Sequence, residues 1–163
     1  MTEKLALFER VVRTVKNVGQ PTVTEAEAAA APQVHPFDER NVHPDVARVS
    51  RKLFDDGHFS QATFEAFKLL DQKVHGLSGV KESGSKLMMA AFAEGNPKIK
   101  LTDLVTQSEI DEQMGYKFIF AGVMSAIRNP RGHDIKADPI DRCLDHLSLA
   151  SVLYRRMEER KAP

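Results

Sequence analysis

Apolar residues recur three and four positions apart along almost the whole chain, and no segment keeps the two-residue alternation of a half-buried strand. This periodicity limits the fold most strongly, because an apolar stripe at helical spacing is buried when helices pack against one another. The pattern therefore predicts an all-α bundle. At 163 residues, the chain is long enough for one domain with its own hydrophobic core.

The first 44 residues differ from the remainder and are predicted to form a separate region. A helix is predicted over residues 3–18, and Gly19 would end it. Residues 20–44 contain repeated prolines, which lack a backbone donor and restrict the preceding residue, so a long helix cannot form there. Only a short helix over residues 24–31 is expected. We interpret residues 1–44 as an N-terminal helix and Pro-rich tether, and residues 45–163 as the bundle domain.

Within the bundle domain, the apolar stripes predict a series of helices separated by Gly, Ser and Pro. The predicted helices cover residues 45–56, 60–75, 86–93 and 108–128, and a last one starts after Pro139. Ser108 is the expected N-cap of the longest of them. Residues 98–105 fit either a brief extended piece or a loop.

The longest predicted helix is apolar on nearly every side, which favours burial inside the bundle or at a subunit interface. Gly115 and Gly122 are seven positions apart and therefore share one face of this helix. Because glycine costs about 1 kcal/mol relative to alanine in a helix interior, we expect a neighbouring backbone to approach closely at both positions.

Charge and cysteine content argue against several classes of function. Lys and Arg total 23 and are balanced by 23 Asp and Glu, which disfavours broad coating of nucleic acid but not a cleft for one or two phosphates. The single cysteine, Cys143, cannot form an internal disulfide, and no other thiol can complete a zinc site. We expect no metal and no cofactor. The sequence lacks an apolar run of membrane-spanning length and a signal peptide, so no membrane contact and a cytoplasmic location are expected.

A motif with polar chemistry, RNPRGH at residues 128–133, directly follows the longest predicted helix. The helix is predicted to end at Arg128, because the residue before a proline is biased out of the helical region. Residues 129–132, Asn-Pro-Arg-Gly, have the residue preferences of a type I turn. Such a turn would fold the chain back and bring His133 beside Arg128.

This pair of residue types suits cleavage of RNA without a metal. One group must deprotonate the ribose 2′-hydroxyl, another must protonate the leaving 5′-oxygen, and a cation must stabilise the phosphoryl oxygens. His133 fits the proton transfers and Arg128 fits the cation. One histidine cannot be both acid and base unless a water or a second subunit contributes, and a two-fold dimer would supply both. Asn129 would bind the phosphate or orient His133, and Arg131 and Lys136 would bind phosphate. From spacing alone, the pattern is explained better by an arginine that satisfies free carbonyls at a helix end and a histidine that lies in a loop by chance.

Four segments resemble the Ymh-like family, which is grouped with the HEPN superfamily. They are DDGHFSQATFEAFKLLDQKV, SGSKLMMAAF, GYKFIFAGVMSAIRNPRGH and LDHLSLASVLYRRME, within roughly residues 45–158. The resemblance implies a small HEPN-like helical bundle that forms homodimers. It also implies a metal-independent ribonuclease of antiviral defence, abortive infection or toxin–antitoxin growth arrest. The superfamily signature is an arginine, often followed by a polar residue, with a histidine after a short gap. Arg128, Asn129 and His133 match it.

The resemblance therefore predicts an endoribonuclease with catalytic Arg128, Asn129 and His133 that leaves 2′,3′-cyclic phosphate ends. Its expected partners are RNA as substrate, a second copy of the chain, and an antitoxin or defence-system protein. Two other hypotheses stay open. One is a non-catalytic helical module that binds a partner protein through the N-terminal helix. The other is a regulator that binds RNA in the same cleft without cutting it.

Overall fold

The computed structural model describes residues 34–133 and 137–161. The helices predicted over residues 3–18 and 24–31, and Lys136, lie outside the described residues. The described part is helical and contains no strand, so the prediction of an all-α bundle is confirmed. None of its helices is both long and apolar enough to cross a membrane.

The predicted bundle helices are confirmed, and their ends lie within a few residues of the predicted ones. The structure also contains a short π-helical turn, which the sequence pattern did not predict. The elements are α1 (Pro36–Glu39), α2 (Pro44–Asp55), α3 (Phe59–Ser78), α4 (Gly84–Ala91), α5 (Gln107–Val123), the π-turn (Met124–Arg128), α6 (Asn129–His133) and α7 (Ile140–Glu158).

Helix α3 lies at the centre of the bundle and contacts α2, α4, the π-turn, α6 and α7. Its predicted apolar stripe is buried: Ala62, Ala66, Phe67, Leu70 and Val74. The neighbouring elements complete the core with large side chains, among them Leu87, Met88, Phe92, Phe120, Met124, Leu147 and Met157. The junction of α5, the π-turn and α6 is therefore held against α3, and this packing positions the motif at residues 128–133.

Two histidine–proline pairs that the sequence pattern assigned to the tether start helices. The Nδ1 atoms of His35 and His43 each accept a hydrogen bond, 3.1 Å long, from a backbone N–H two residues ahead. Pro36 and Pro44 are the first residues of α1 and α2, a position where the missing N–H has no helical partner to lose. The compact unit begins at His35, ahead of the predicted boundary at residue 44.

Helix α5 is capped by Thr106, and the prediction of Ser108 as the cap is wrong. The Thr106 hydroxyl accepts a hydrogen bond from the Glu109 N–H at 3.3 Å, and the Glu109 carboxylate accepts one from the Thr106 N–H at 2.9 Å. This capping box satisfies two backbone donors at once, which a cap at Ser108 would leave free.

No described residue approaches Gly115 or Gly122 closely, so the predicted backbone contact is wrong within one chain. A Cβ atom built at either glycine would meet nothing within 4 Å. Phe118 and Ile119, on the same side of the helix, are 55% and 45% exposed. These four residues follow the spacing of one helical face. We call this unpartnered surface the α5 face.

Candidate active site

The motif at residues 128–133 is helical, because the π-turn leads directly into α6. Asn129 has φ −61° and ψ −45°, and its N–H donates to the carbonyl of Met124, five residues back. Two predictions are therefore wrong: the helix does not end at Arg128, and residues 129–132 do not form a type I turn.

The π-turn explains how Pro130 is accommodated. Inside an α-helix a proline lacks one donor, and its ring collides with the carbonyl four residues earlier. Here the wider turn ends just before α6, so Pro130 lies in the first turn of a new α-helical segment, where proline is tolerated. The Arg131 Nη1 atom donates to the Ile127 carbonyl at 2.7 Å, which provides a side-chain partner at the junction. Single π-turns within α-helices occur frequently at functional sites.

Helical geometry separates Arg128 from His133 within one chain. Five residues correspond to about 7.5 Å along a helix axis and about 140° around it. Arg128 is half-buried against the bundle, whereas His133 is exposed. A turn was predicted to place Arg128 and His133 side by side. In the structure, the Arg128 guanidinium lies against the bundle and the His133 imidazole lies at the surface of the same helix, so no turn brings them together.

The guanidinium of Arg128 is held by two neighbours and has an unused donor. Its central carbon lies 5.5 Å from the centre of the Phe64 ring, within the range of a cation–π interaction. Its Nη1 donates to the Asn129 side-chain oxygen at 3.1 Å. Its Nε is buried and has no hydrogen-bond partner among the described residues. Because a buried donor without a partner is costly, an anion bound here would relieve that cost.

Gly132 makes room for the ring that supports Arg128. A Cβ atom at Gly132 would lie 3.0 Å from the Phe64 Cε2 atom, which is closer than such contacts normally are. The absence of a side chain therefore lets α6 lie directly on Phe64. Sequence reasoning missed Phe64. The sequence feature that could have pointed to Phe64 is its position. It is an aromatic residue outside the apolar stripe of α3, where a purely structural helix carries a polar residue.

Asn129 connects the motif to the start of α4. Its Oδ1 would lie 3.9 Å from a Cβ atom at Gly84, the first residue of α4. Gly84 has φ +61°, and its N–H donates to the buried Asp71 carboxylate at 2.6 Å. Asn129 was predicted to bind phosphate or to orient His133. In the structure its side chain accepts the hydrogen bond from Arg128, so it orients the cation.

Arg131 was predicted to bind RNA, but it forms a buried ion pair with Asp138. The Nε and Nη2 atoms donate to the two carboxylate oxygens at 2.6 Å and 2.7 Å. The side chains are only 6% and 2% exposed. This placement favours a structural role for Arg131, because it ties α6 to the segment that enters α7. Sequence reasoning missed Asp138, whose signal was an acidic residue next to Pro139 at a helix start.

The surroundings of this ion pair shift two pKa values. Burial alone would raise the pKa of Asp138, but hydrogen bonds from Arg131 and Ser60 and the charge of Arg131 outweigh it and lower the pKa. The His146 Nδ1 lies 3.4 Å from Arg131 Nη2. Burial and the nearby Arg131 cation lower the pKa of His146, so the neutral form of this imidazole is favoured beside the ion pair.

Across residues 34–133 and 137–161, no three side chains of His, Cys, Asp or Glu are grouped in a way that could hold a metal ion. Cys143 is buried in α7, and burial raises the pKa of its thiol. A thiol in that state is a poor nucleophile and a poor metal ligand. The groups that can act on a ligand at this site are therefore the guanidinium of Arg128, the amide of Asn129 and the imidazole of His133.

Comparison with known proteins identifies the family of the chain. A family model described as "Protein of unknown function (Hypoth_ymh)" matches residues 40–157, the larger part of the sequence. The matched range contains α2 to α6, nearly all of α7, and every side chain described at the site. No curated protein and no solved structure matches the chain. The predicted resemblance to the Ymh-like family is confirmed, and the chain belongs to the Hypoth_ymh family.

Proposed function

We propose that the protein is a metal-independent endoribonuclease of the HEPN type, active as a homodimer. The observation that carries the proposal is the state of Arg128: a half-buried guanidinium, oriented by Phe64 and Asn129, with a buried Nε that lacks a described partner. A phosphodiester is an anion that such a cation binds well. The exposed His133 follows on the same helix, and the arginine–histidine spacing agrees with the HEPN signature.

In the proposed reaction, the ribose 2′-oxygen attacks the adjacent phosphorus. A neutral His133 takes the proton from the 2′-hydroxyl as the O–P bond forms. A protonated His133 gives a proton to the 5′-oxygen as the P–O5′ bond breaks. Arg128 stabilises the negative charge on the two other phosphoryl oxygens. The products are a 2′,3′-cyclic phosphate and a 5′-hydroxyl, and no redox step or added water is required.

The two proton transfers need a second group beside one His133, and a dimer that shares one site would supply it as the second copy of His133. The α5 face is a suitable contact surface, because Phe118 and Ile119 are exposed and the glycines beside them leave room for a second backbone. The same continuous helix carries the motif, and Arg128 follows Gly122 by six residues, about 9 Å along the axis. A two-fold axis parallel to α5 would bring both copies of His133 to the same end of the paired helices.

A cysteine at position 126 tests this pairing. Ala126 is exposed and lies four residues after Gly122. In a parallel pair, equivalent residues face each other across the axis, so Ala126→Cys should form an intermolecular disulfide under mild oxidation. A cysteine in place of Val152, which is 53% exposed on α7, is the matched control and should remain reduced. Equal cross-linking of both variants would contradict the parallel pairing.

The activity itself is tested with purified protein and mixed RNA in excess EDTA. We expect cleavage by the parent protein and a loss of about 100-fold or more in His133→Ala, in line with general acid–base catalysis. Arg128→Ala should lose activity to a similar extent, and His75→Ala, which removes another exposed histidine, should not. If the folded parent dimer does not cleave RNA, the proposal is refuted. RNA binding without cleavage would favour a regulator.

The proposed biological setting is the prokaryotic cytoplasm, where RNA cleavage would arrest growth during infection or stress. A second protein, such as an antitoxin, would restrain the enzyme in healthy cells. Expression of the parent protein alone should then stop growth, whereas the His133→Ala variant, expressed to the same level, should not. Equal growth of both strains would refute this setting and leave the chemistry to be tested in vitro.

A further inference from the structure

A cavity that is rich in positive charge lies at the opposite end of α3 from the motif. It has a volume of about 360 Å³ and is lined by Lys98, Lys100, Arg160 and Lys161 together with Leu77, Pro97 and Ile99. We call it the basic pocket. The whole chain has a formal net charge of zero, so this concentration of four cations on one small surface is a local feature.

Few carboxylates compensate these cations. Lys161 lies 3.0 Å from Asp103, and both side chains are largely exposed, so this pair is weak. In the part of the chain that the structure describes, no carboxylate forms an ion pair with Lys98 or Lys100. Both lysines are exposed. The pocket therefore carries an excess of positive charge that a bound anion would neutralise.

The backbone that presents these lysines is fixed. The N–H groups of Lys98 and Ile99 donate to the Ala91 carbonyl at 2.9 Å and 3.0 Å. The N–H of Lys161 donates to the Lys100 carbonyl at 2.9 Å. The loop is thus attached to the end of α4 on one side and to the segment after α7 on the other. These backbone hydrogen bonds hold the positively charged residues near one another before any ligand binds, as in a preorganised binding site.

Helix C-termini also attract cations, and this explains only part of the cluster. Arg160 donates to the Met157 carbonyl at 3.1 Å, in the last turn of α7, so its position follows from the helix end. Lys98 and Lys100 belong to neither α3 nor α7. Lys98 contacts the end of α4 only through its backbone N–H, and among the described residues neither lysine side chain donates to a helix-end carbonyl. The two lysines are therefore the part of the pocket that a structural role does not explain.

We propose that the basic pocket binds a phosphate group of the RNA strand whose cleaved linkage lies at Arg128, an inference that rests on the proposed function. Phe64 and Leu77 are thirteen residues apart on α3, so the two sites are separated by about 20 Å along the axis of that helix and by about 140° around it, and a connecting strand must span at least the axial distance. This distance corresponds to about six stacked nucleotides at 3.4 Å each. The apolar side chains of the pocket provide a surface for a ribose or a base.

The size of the pocket limits the ligand to about one nucleotide unit. Ligand sites in proteins typically measure about 300–1,000 Å³, and the basic pocket is at the lower end of that range with about 360 Å³. A folded RNA element would not enter it. The pocket would therefore contact a single-stranded region and favour substrates that extend at least six nucleotides from the cleaved linkage.

The test uses the full chain with His133→Ala, so that binding is measured without cleavage. A fluorescent 20-nucleotide single-stranded RNA is titrated at several salt concentrations, with and without Lys98→Gln and Lys100→Gln together. The pocket is proposed to hold one phosphate, and each lost phosphate contact reduces the salt slope on single strands by about 0.7. The double change should therefore reduce the slope by about 0.7 and weaken binding about fourfold near 0.15 M salt. The matched control, Arg48→Gln with Lys52→Gln, removes two exposed charges on α2 and should change neither value.

A three-nucleotide RNA and AMP distinguish the sources of the phosphate. The short RNA cannot reach from Arg128 to the basic pocket, so its binding at the motif should not depend on the lysines. Equal effects of the pocket and control changes on the long RNA would overturn the proposal. Tight, lysine-dependent binding of AMP with no lysine effect on the long RNA would also overturn it, in favour of a free nucleotide. A lysine effect on binding without any cleavage by the parent would uphold the pocket and refute the ribonuclease instead.

Discussion

Replacing Asp138 by Asn should destabilise the bundle more than any other single change near the motif. Asp138 accepts two hydrogen bonds from Arg131, and the two side chains are 2% and 6% exposed. The variant keeps the shape and one carbonyl oxygen but leaves a buried guanidinium without its counter-charge. Removing one partner of a buried pair costs about 3–5 kcal/mol of unfolding free energy.

This magnitude can be read from urea unfolding followed by helical circular dichroism. With a slope of about 2 kcal/mol per molar, the midpoint should fall by about 1.5–2.5 M. Arg142→Gln is the control, because Arg142 lies 3.7 Å from Asp138 and is 59% exposed. Its loss should cost less than about 1 kcal/mol. A midpoint of Asp138→Asn within 0.5 M of the parent, on the order of 1 kcal/mol, would refute the assigned role of the pair.

The pH dependence of the unfolding free energy is a second test of the Asp138→Asn variant. The folded-state pKa of Asp138 is lowered, so its contribution to stability is present above the ordinary value of 3.8 and is lost as the pH falls through the folded-state value. The difference between the parent and Asp138→Asn should therefore be full at pH 7 and should close below pH 3.8. A difference that persists unchanged in acid would show that the carboxylate charge is not its cause.

Three further predictions follow from other contacts. The folded-state pKa of His146 is lowered, so stability should fall as the pH drops below the ordinary value of 6.5, and His146→Gln should flatten that slope in urea midpoints. Phe118→Arg should abolish the dimer in sedimentation and with it cleavage, whereas Val152→Arg, at a similarly exposed residue, should do neither. Phe64→Leu removes the ring beside Arg128 and should lower kcat about two- to fivefold, the equivalent of about 0.5–1 kcal/mol, with KM for RNA little changed. An unchanged His146→Gln slope, a dimeric Phe118→Arg protein or an unaffected Phe64→Leu rate would each refute the corresponding contact.

The helices of the bundle were predictable because their signals are local. Apolar spacing located the buried stripe of α3, and glycine or proline located most helix ends. The same local rules failed where proline was read only as a helix breaker. Pro36 and Pro44 start helices, and Pro130 follows a π-turn, because in each case the missing N–H lies in a first turn. A rule that considers one residue and its predecessor cannot detect the shifted hydrogen-bond register.

The sequence pattern suggested the candidate residues of the proposed site but not their environment. Arg128 and His133 were chosen for their chemistry and spacing, because the proposed cleavage of RNA requires a cation and a proton carrier. The supporting residues depend on which helices pack together. Phe64 reaches the site only because α3 lies under α6, and Asp138 pairs with Arg131 only because the chain returns after the motif. Those contacts are set by the tertiary fold, so Arg131 looked like a phosphate ligand in the sequence.

The chemical identity of the RNA ends distinguishes the proposed cleavage by Arg128 and His133 from other kinds of RNA cleavage. RNA incubated with the parent protein in EDTA is analysed by mass spectrometry for its new termini, beside a sample treated with His133→Ala. We expect 2′,3′-cyclic phosphate and 5′-hydroxyl ends with the parent and intact RNA with the variant. Ends that carry a 5′-phosphate, or equal cutting by both proteins, would contradict a cleavage reaction carried out by Arg128 and His133.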